Sequence, residues 1–293
     1  PYSDVGYNVN TIDQDFDAEM IYSGDGGLTK LYFGSSYMIN NNLSFGINAS
    51  YLFGRLNKRK KIIFNDDFIL NSRSNLSLNL KGFYYEVGLL YTKELNDNKK
   101  YTLGLVFHND TEISSTQREI VETFEYSGQV EIAKDTVLRT ESSGYTLLPQ
   151  SISSGLSYKN NNVMLLIDYS TQNWSDFKIL GANENYYNSQ RFSSGIEYKF
   201  QQTSTGNFFK NLVYRFGFSF LESPLQISNL MLNEKSVTFG VSIPNFKSRT
   251  KYDISIIYTS RGDTENSLIK EQILKIGLNI SYDGIWFVKR KYD

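Results

Sequence analysis

Apolar and polar residues alternate along most of this chain with a period of two, the pattern of β-strands whose two faces meet different surroundings. Between Leu43 and Phe53 the odd positions are apolar, whereas the even positions from Ser44 to Ser50 are small or polar. The same test applied to the whole chain predicts eleven strands, at 29–39, 43–53, 76–92, 101–108, 152–158, 163–169, 192–200, 212–220, 237–243, 252–259 and 274–282.

One of these strands changes phase. In residues 76–92 the apolar positions are even as far as Leu80 and odd from Phe83 onward, with Gly82 at the join. A change of one residue in phase is typical of a β-bulge, so a bulge is predicted at Gly82.

The composition supports an all-β chain and excludes several classes of protein. The 293 residues include 22 Tyr and 20 Phe but only four Ala, a balance that favours strands over helices. Cysteine is absent, which excludes disulfide scaffolds and thiolate sites, and a net charge of -1 argues against a nucleic-acid partner. No apolar run approaches the roughly 20 residues of a membrane helix. No cofactor is expected.

The connections between the strands alternate in length. Asn40–Asn42, Asn96–Lys100 and Asn160–Asn162 are short, whereas 54–74 and 109–150 are long. Short turns at one end and long loops at the other describe an antiparallel up-and-down transmembrane β-barrel with periplasmic turns and extracellular loops. A soluble β-sandwich or adhesin is the alternative.

The two faces of the strands favour the membrane barrel. The apolar faces carry almost no charge, and Tyr or Phe recurs near their ends, as in the aromatic girdles that flank lipid. The opposite faces are rich in glycine, which suits a confined lumen better than a solvated surface. Strand parity requires an ascending strand before 29–39, and residues 1–10 could end it, giving about 12 strands. The whole of 1–293 is interpreted as one barrel domain, with 109–150 as a long extracellular hairpin or loop.

The last strand resembles the assembly signal of outer-membrane barrels, because Lys275, Gly277, Ile280 and Tyr282 occupy the polar, glycine and two hydrophobic places of that signal. Longer segments resemble the FadL-like (OmpP1/FadL/TodX-type) outer-membrane proteins of Bacteroidota. These segments are GGLTKLYFGSSYMINNNLSFGINASYLFG, LPQSISSGLSYKNNN, DYSTQNWSDF, YRFGFSFLESPLQISN and the C-terminal RGDTENSLIKEQILKIGLNISYDGIWFVKRKYD.

The resemblance implies a barrel that has 14 strands in the full family fold and transports hydrophobic compounds such as long-chain fatty acids. It also implies an N-terminal plug, which has no counterpart in this sequence, so the plug and some N-terminal strands are expected to be missing. The location implied is the bacterial outer membrane.

The candidate site residues come from the inward face. The lumen-facing polar candidates are Glu86, Asp168, Glu197, Lys199, Arg215 and Asp253. They could bind a ligand or plug, although mixed charges that pair across strands are the ordinary content of a lumen. Trp174 and Trp286 fit interfacial aromatic belts. His108 is the only histidine. One histidine without cysteine makes a poor set of metal ligands or catalytic groups, so no metal site and no enzyme are predicted.

Three functions stay open at this point. The first is a FadL-like barrel that binds or passes hydrophobic small molecules across the outer membrane, with membrane lipid and that ligand as partners. The second is a barrel subunit of an outer-membrane protein-assembly or secretion complex, with other subunits as partners. The third is a surface adhesin or receptor that works through 109–150, because a long outer loop is where a partner would dock.

Overall fold

Strands formed by the alternating segments account for nearly all of the regular structure in the computed structural model. It describes residues 3–4, 7–13, 17–66, 68–96, 98–200, 208–227, 230–245, 250–264 and 270–282. The strands are β1 (Ser3–Asp4), β2 (Tyr7–Asp13), β3 (Ala18–Met38), β4 (Leu43–Phe64), β5 (Asn71–Asn96), β6 (Lys99–His108), β7 (Thr111–Ser127), β8 (Val130–Leu148), β9 (Ser151–Asn160), β10 (Val163–Gln172), β11 (Lys178–Ile179), β12 (Ala182–Asn183), β13 (Ser189–Lys199), β14 (Val213–Ile227), β15 (Leu230–Asn245), β16 (Thr250–Arg261) and β17 (Glu271–Tyr282). Two short 3-10 turns, Trp174–Asp176 and Phe208–Asn211, lie in the connections.

Neighbouring strands pair in antiparallel fashion from β2 through to β17. β1 and β2 share one register against β3, and the pairs β6–β7 and β8–β9 each form one interrupted strand. Counted in this way, and without the small β11–β12 hairpin, the described residues contain twelve long strands. All eleven strands predicted from the alternation are confirmed, and so is the all-β up-and-down architecture.

The outer face of these strands is apolar and exposed. Phe33 is 78 % exposed and Leu278 is also 78 % exposed, although both belong to regular strands. Large apolar side chains held at such exposure along many strands would be unfavourable in water, because each would keep its apolar area hydrated. In an outer-membrane barrel this face contacts lipid.

Three strands are much longer than a membrane crossing requires. β3, β4 and β5 contain 21, 22 and 26 residues, whereas a membrane strand needs about 9–11. Their upper parts continue as a sheet with β7 and β8, which pair as a hairpin from Thr111 to Leu148. This upper sheet stands beyond the barrel at the end where the long connections lie.

The apolar side chains change sides where the barrel meets the upper sheet. In the barrel they cover the outer face, but in the upper sheet Leu78, Leu80 and Ile113 form a buried core on the opposite face. Leu28, Leu56, Leu148 and Ile179 pack against this core. Along one strand, the apolar residues therefore occupy outward positions in the barrel and inward positions in the upper sheet.

This change of side explains the phase shift at Gly82, and the bulge predicted there is wrong for β5. The β4–β5 register runs from Leu43–Tyr91 to Ile62–Ser72 without a break. The extra residue lies in the neighbouring strand, because Lys81 and Val87 are six positions apart in β5, whereas their partners Ser114 and Phe107 are seven positions apart. Gly82 is needed for close approach, since a Cβ there would lie 2.5 Å from Cγ2 of Ile113.

In the described part of the chain, no helix has the length and apolar character needed to cross a membrane.

Candidate functional site in the barrel lumen

Glycine residues line the inner face of the barrel at neighbouring positions. Gly46 lies opposite Gly88, Gly104 lies opposite Gly155, and Gly195 lies opposite Gly217. Because successive residues of a strand point to opposite faces, the alternation that places aromatic residues in lipid also places these glycines inside. The result is a lumen wall with little side-chain bulk at this level.

Two adjoining hollows occupy this wall and meet at Val106. The first has a volume of about 340 Å³, and its lining includes Gly34, Gly46, Asn48, Glu86, Gly88 and Val106. The second has a volume of about 370 Å³, and its lining includes Gly104, Val106, Ser153, Gly155, Asp168 and Arg191. A Cβ on Gly155 would lie 2.4 Å from Oδ1 of Asp168, so a larger residue there would displace the Asp168 carboxylate.

Glu86 anchors the polar side of the first hollow. Its carboxylate accepts hydrogen bonds from Nζ of Lys30 and from the hydroxyl of Tyr84, each at 2.9 Å. The ammonium group of Lys30 also lies 4.5 Å from the centre of the Tyr84 ring. Lys30 was not among the sequence candidates, although its position on the inner face of β3, two strands from Glu86, could have identified it.

Arg215 holds together a second polar cluster, which crosses five strands from β13 to β17. Its guanidinium donates to Glu197 at 2.8 Å, to Asp253 at 3.3 Å and to the hydroxyl of Ser242 at 2.6 Å. Asp253 also accepts hydrogen bonds from Ser242 and from Asn279. The structure thus brings three of the sequence candidates together. It adds Ser242 and Asn279, which could have been identified only from the register, where both lie opposite Asp253.

The remaining two lumen candidates lie apart from this cluster. Asp168 borders the second hollow together with Arg191. Lys199 lies at the turn end of β13, opposite Val213, and is exposed. The six candidates therefore form no single site: Glu86 and Asp168 border the hollows, three residues form the Arg215 cluster, and Lys199 belongs to neither.

His108 is buried at the upper end of β6. It is 2 % exposed, its ring centre lies 4.1 Å from that of Tyr84, and its Nε2 lies 3.4 Å from the hydroxyl oxygen of Thr111. It packs at the junction of barrel and upper sheet, between Tyr84 of β5 and Thr111 of β7. Within the described ranges, no group of three His, Cys, Asp or Glu residues is placed to hold a metal ion.

The residues of the resembled assembly signal lie on β17. Lys275 and Gly277 are on the inner face, and Ile280 and Tyr282 are on the outer face, 69 % and 72 % exposed. Trp174 begins a 3-10 turn just after β10, and its ring contacts those of Phe177 and Tyr186. An interfacial role for Trp174 and an assembly role for the β17 residues stay predictions. Trp286 lies outside the described residues.

Comparison with known proteins agrees with this architecture. A family model described as BamG matches residues 1–293. The CymD monoaromatic hydrocarbon channel superposes with a TM-score of 0.52 at 16 % identity, over 96 % of this chain and 78 % of that one. The Ralstonia pickettii toluene transporter TbuX gives a TM-score of 0.51 at 13 % identity, over 90 % of this chain and 68 % of that one. No curated protein matches the sequence.

A much longer chain is also similar in fold. The RagAB peptide transporter superposes with a TM-score of 0.51 at 9 % identity, over 90 % of this chain but 34 % of that one. At these identities the similarity concerns the fold, and the fold alone does not specify a ligand.

Proposed function

The chain belongs to the BamG family and has the fold of FadL-type outer-membrane channels, and we propose that it binds or passes hydrophobic small molecules. It is an integral barrel of the bacterial outer membrane. The proposal includes its orientation: the upper sheet and the long loops face the cell exterior, and the short turns face the periplasm.

The observation that carries this proposal is the pair of hollows meeting at Val106. Binding pockets for small ligands typically have volumes of about 300–1,000 Å³, with a largely apolar lining and a few oriented polar groups. At about 340 and 370 Å³ the hollows fall within this range, and each has one carboxylate at its edge, Glu86 or Asp168. A monoaromatic hydrocarbon would fit either hollow.

The carboxylate beside the first hollow is already occupied. Glu86 is satisfied by Lys30 and Tyr84, so an apolar ligand could enter the first hollow without leaving that carboxylate unpaired. This arrangement favours an uncharged ligand over an anion, because the nearby ammonium group is already neutralised by Glu86. The hydrocarbon and toluene channels of the same fold, CymD and TbuX, support this ligand class.

The proposal is tested by filling the point where the hollows meet. Val106→Trp places a large side chain between them, whereas Val237→Trp makes the same change on the lipid-facing side of β15. The two valines are 43 % and 42 % exposed, so they form a matched pair. Purified proteins are reconstituted in liposomes, and the uptake of radiolabelled toluene and of oleate is measured.

We expect Val106→Trp to reduce uptake severalfold and Val237→Trp to leave it near that of the unmodified protein. Heat-modifiable migration on a gel is measured for all three proteins to establish that each is folded. Uptake equal to that of protein-free liposomes, or equal uptake by both variants, would contradict the proposal.

The upper sheet favours a second candidate, a barrel subunit of an outer-membrane assembly or secretion complex. It presents β7 and β8 as a structured hairpin with a core of its own, which a channel for small molecules does not require. Purification in mild detergent followed by mass spectrometry separates the two candidates. Co-purifying lipid or fatty acid supports the channel, and stable stoichiometric protein partners support the complex subunit.

A further inference from the structure

Cationic side chains stand directly above the aromatic girdle on the lipid-facing side of β4 and β5. Tyr51, Phe53 and Phe83 form ring contacts at the upper end of the outer face, with centres 5.0–5.9 Å apart. Lys81 lies opposite Phe53 in the register, and Arg55 follows Phe53 by two residues on the same face. At about 3.4 Å per residue, Arg55 is therefore about 7 Å above the girdle.

A hollow of about 400 Å³ opens on the outer face above this girdle. Three cations of the outer face, Arg55, Arg59 and Arg118, contribute to its lining, against one carboxylate, that of Glu141; Lys58 also borders it, but its position in the alternation is on the inner face. The remaining lining consists mainly of hydrogen-bonding side chains, namely Asn57, Asn75, Ser77, Asn79 and Thr116. We call this the cationic hollow. Its surplus of positive charge and its many donors suit an anion with several oxygen atoms.

The arginines of the cationic hollow have donors to spare. Arg55 uses its Nε on Asn79 at 2.7 Å, and Arg59 pairs with Asp25 at 3.2 Å. The Nε of Arg118 is buried from solvent and has no hydrogen-bond partner in the described structure. A buried donor without an acceptor is costly. An anion in the hollow would relieve this cost if the Arg118 side chain turned towards it.

We propose that the cationic hollow binds the phosphate of an outer-leaflet glycolipid, with the acyl chains lying along the apolar face below. The proposal rests on the outward orientation of the upper sheet. The position of the hollow argues for a lipid: apolar side chains, aromatic girdle and cations follow one another along the same face of the same strands. That order matches the acyl chains, interface and headgroup of a lipid molecule. An acidic protein would need the cations but not the girdle.

The experiment uses the full chain in mild detergent and native mass spectrometry with added lipid A. The test variant is Arg55→Ser combined with Arg118→Ser. The control variant, Lys99→Ser combined with Lys159→Ser, removes the same charge from the turn ends of β6 and β9. Dephosphorylated lipid A and inorganic phosphate serve as ligand controls on the unmodified protein, and they remain informative if the test variant does not fold.

We expect the unmodified protein and the control variant to retain lipid A. The test variant should bind it about 25-fold more weakly, at roughly fivefold for each arginine. Equal binding of dephosphorylated lipid A would overturn the proposal, as would equal binding by the two variants. Competition by inorganic phosphate at the same concentration as lipid A would assign the hollow to a free anion instead. Loss of a bound acidic protein from the test variant, without lipid A binding to the unmodified protein, would assign the hollow to a protein partner.

Discussion

Replacing Arg215 by methionine should lower the free energy of unfolding of the barrel. The substitution keeps the length of the side chain but removes its ion pairs with Glu197 and Asp253 and its hydrogen bond to Ser242. The side chain of Arg215 is 46 % exposed, so solvent screens both ion pairs and each contributes about 0.5 kcal/mol. The hydrogen bond contributes about 1 kcal/mol. The expected loss in the free energy of unfolding is about 2 kcal/mol.

The assay is equilibrium urea unfolding of the detergent-purified protein, followed by tryptophan fluorescence and by heat-modifiable migration. Arg191→Met is the matched control, because Arg191 lines the second hollow and forms no ion pair among the described residues. It should change the free energy of unfolding by less than about 0.5 kcal/mol, as is usual for exposed positions.

A double-mutant cycle separates the ion pair from other effects of the substitution. Glu197→Gln, alone and combined with Arg215→Met, should give a coupling energy of about 0.5 kcal/mol for this partly exposed pair. If Arg215→Met costs no more than Arg191→Met, or if the coupling energy is zero, the cluster does not stabilise the barrel and the reasoning is refuted.

Two further predictions concern the upper sheet. Gly82→Ala should lower the free energy of unfolding by about 1–3 kcal/mol, because the new Cβ would meet the buried Ile113 at 2.5 Å. Gly104→Ala, with its nearest contact at 3.7 Å, should cost less in the same urea titration, and equal costs would contradict this account. Hydrogen bonds from Lys61 and Arg73 hold the pKa of the Glu131 carboxyl below its ordinary 4.5. The ionised Glu131 therefore stabilises the hairpin above pH 4.5, and this stabilisation is lost as the pH falls through the lowered pKa. Pepsin should therefore cleave the hairpin of the unmodified protein faster as the pH falls through this range. Glu131→Gln should remove this increase in the cleavage rate, and an unchanged increase would refute the role of Glu131.

The lumen residues show how far sequence reasoning reaches towards a site. Each of the six candidates was selected because it occupies an inward position in the alternation, and parity alone places Glu197, Arg215 and Asp253 on one face. Parity does not give the register between strands, and the register decides which inward residues touch. Lys30, Ser242 and Asn279 were therefore missed, although each contacts a candidate directly.

The upper sheet shows why a correct pattern can still be misinterpreted. The phase change around Gly82 predicts a bulge, since a strand with one apolar environment can change phase only by inserting a residue. β5 instead passes from lipid, which solvates its outer face, to a protein core on its inner face. Two environments on opposite sides produce the same pattern without any insertion in β5.

The sequence by itself determined the all-β architecture, the positions of eleven strands and the division of each strand into an apolar and a small polar face. These follow from local alternation, because side chains on a strand point to opposite faces wherever the strand pairs. Only the tertiary structure decided which residues meet across strands. The hollows at Val106, the Arg215 cluster and the cationic hollow above the girdle all depend on register between segments far apart in the chain, and alternation within one segment carries no information about that register.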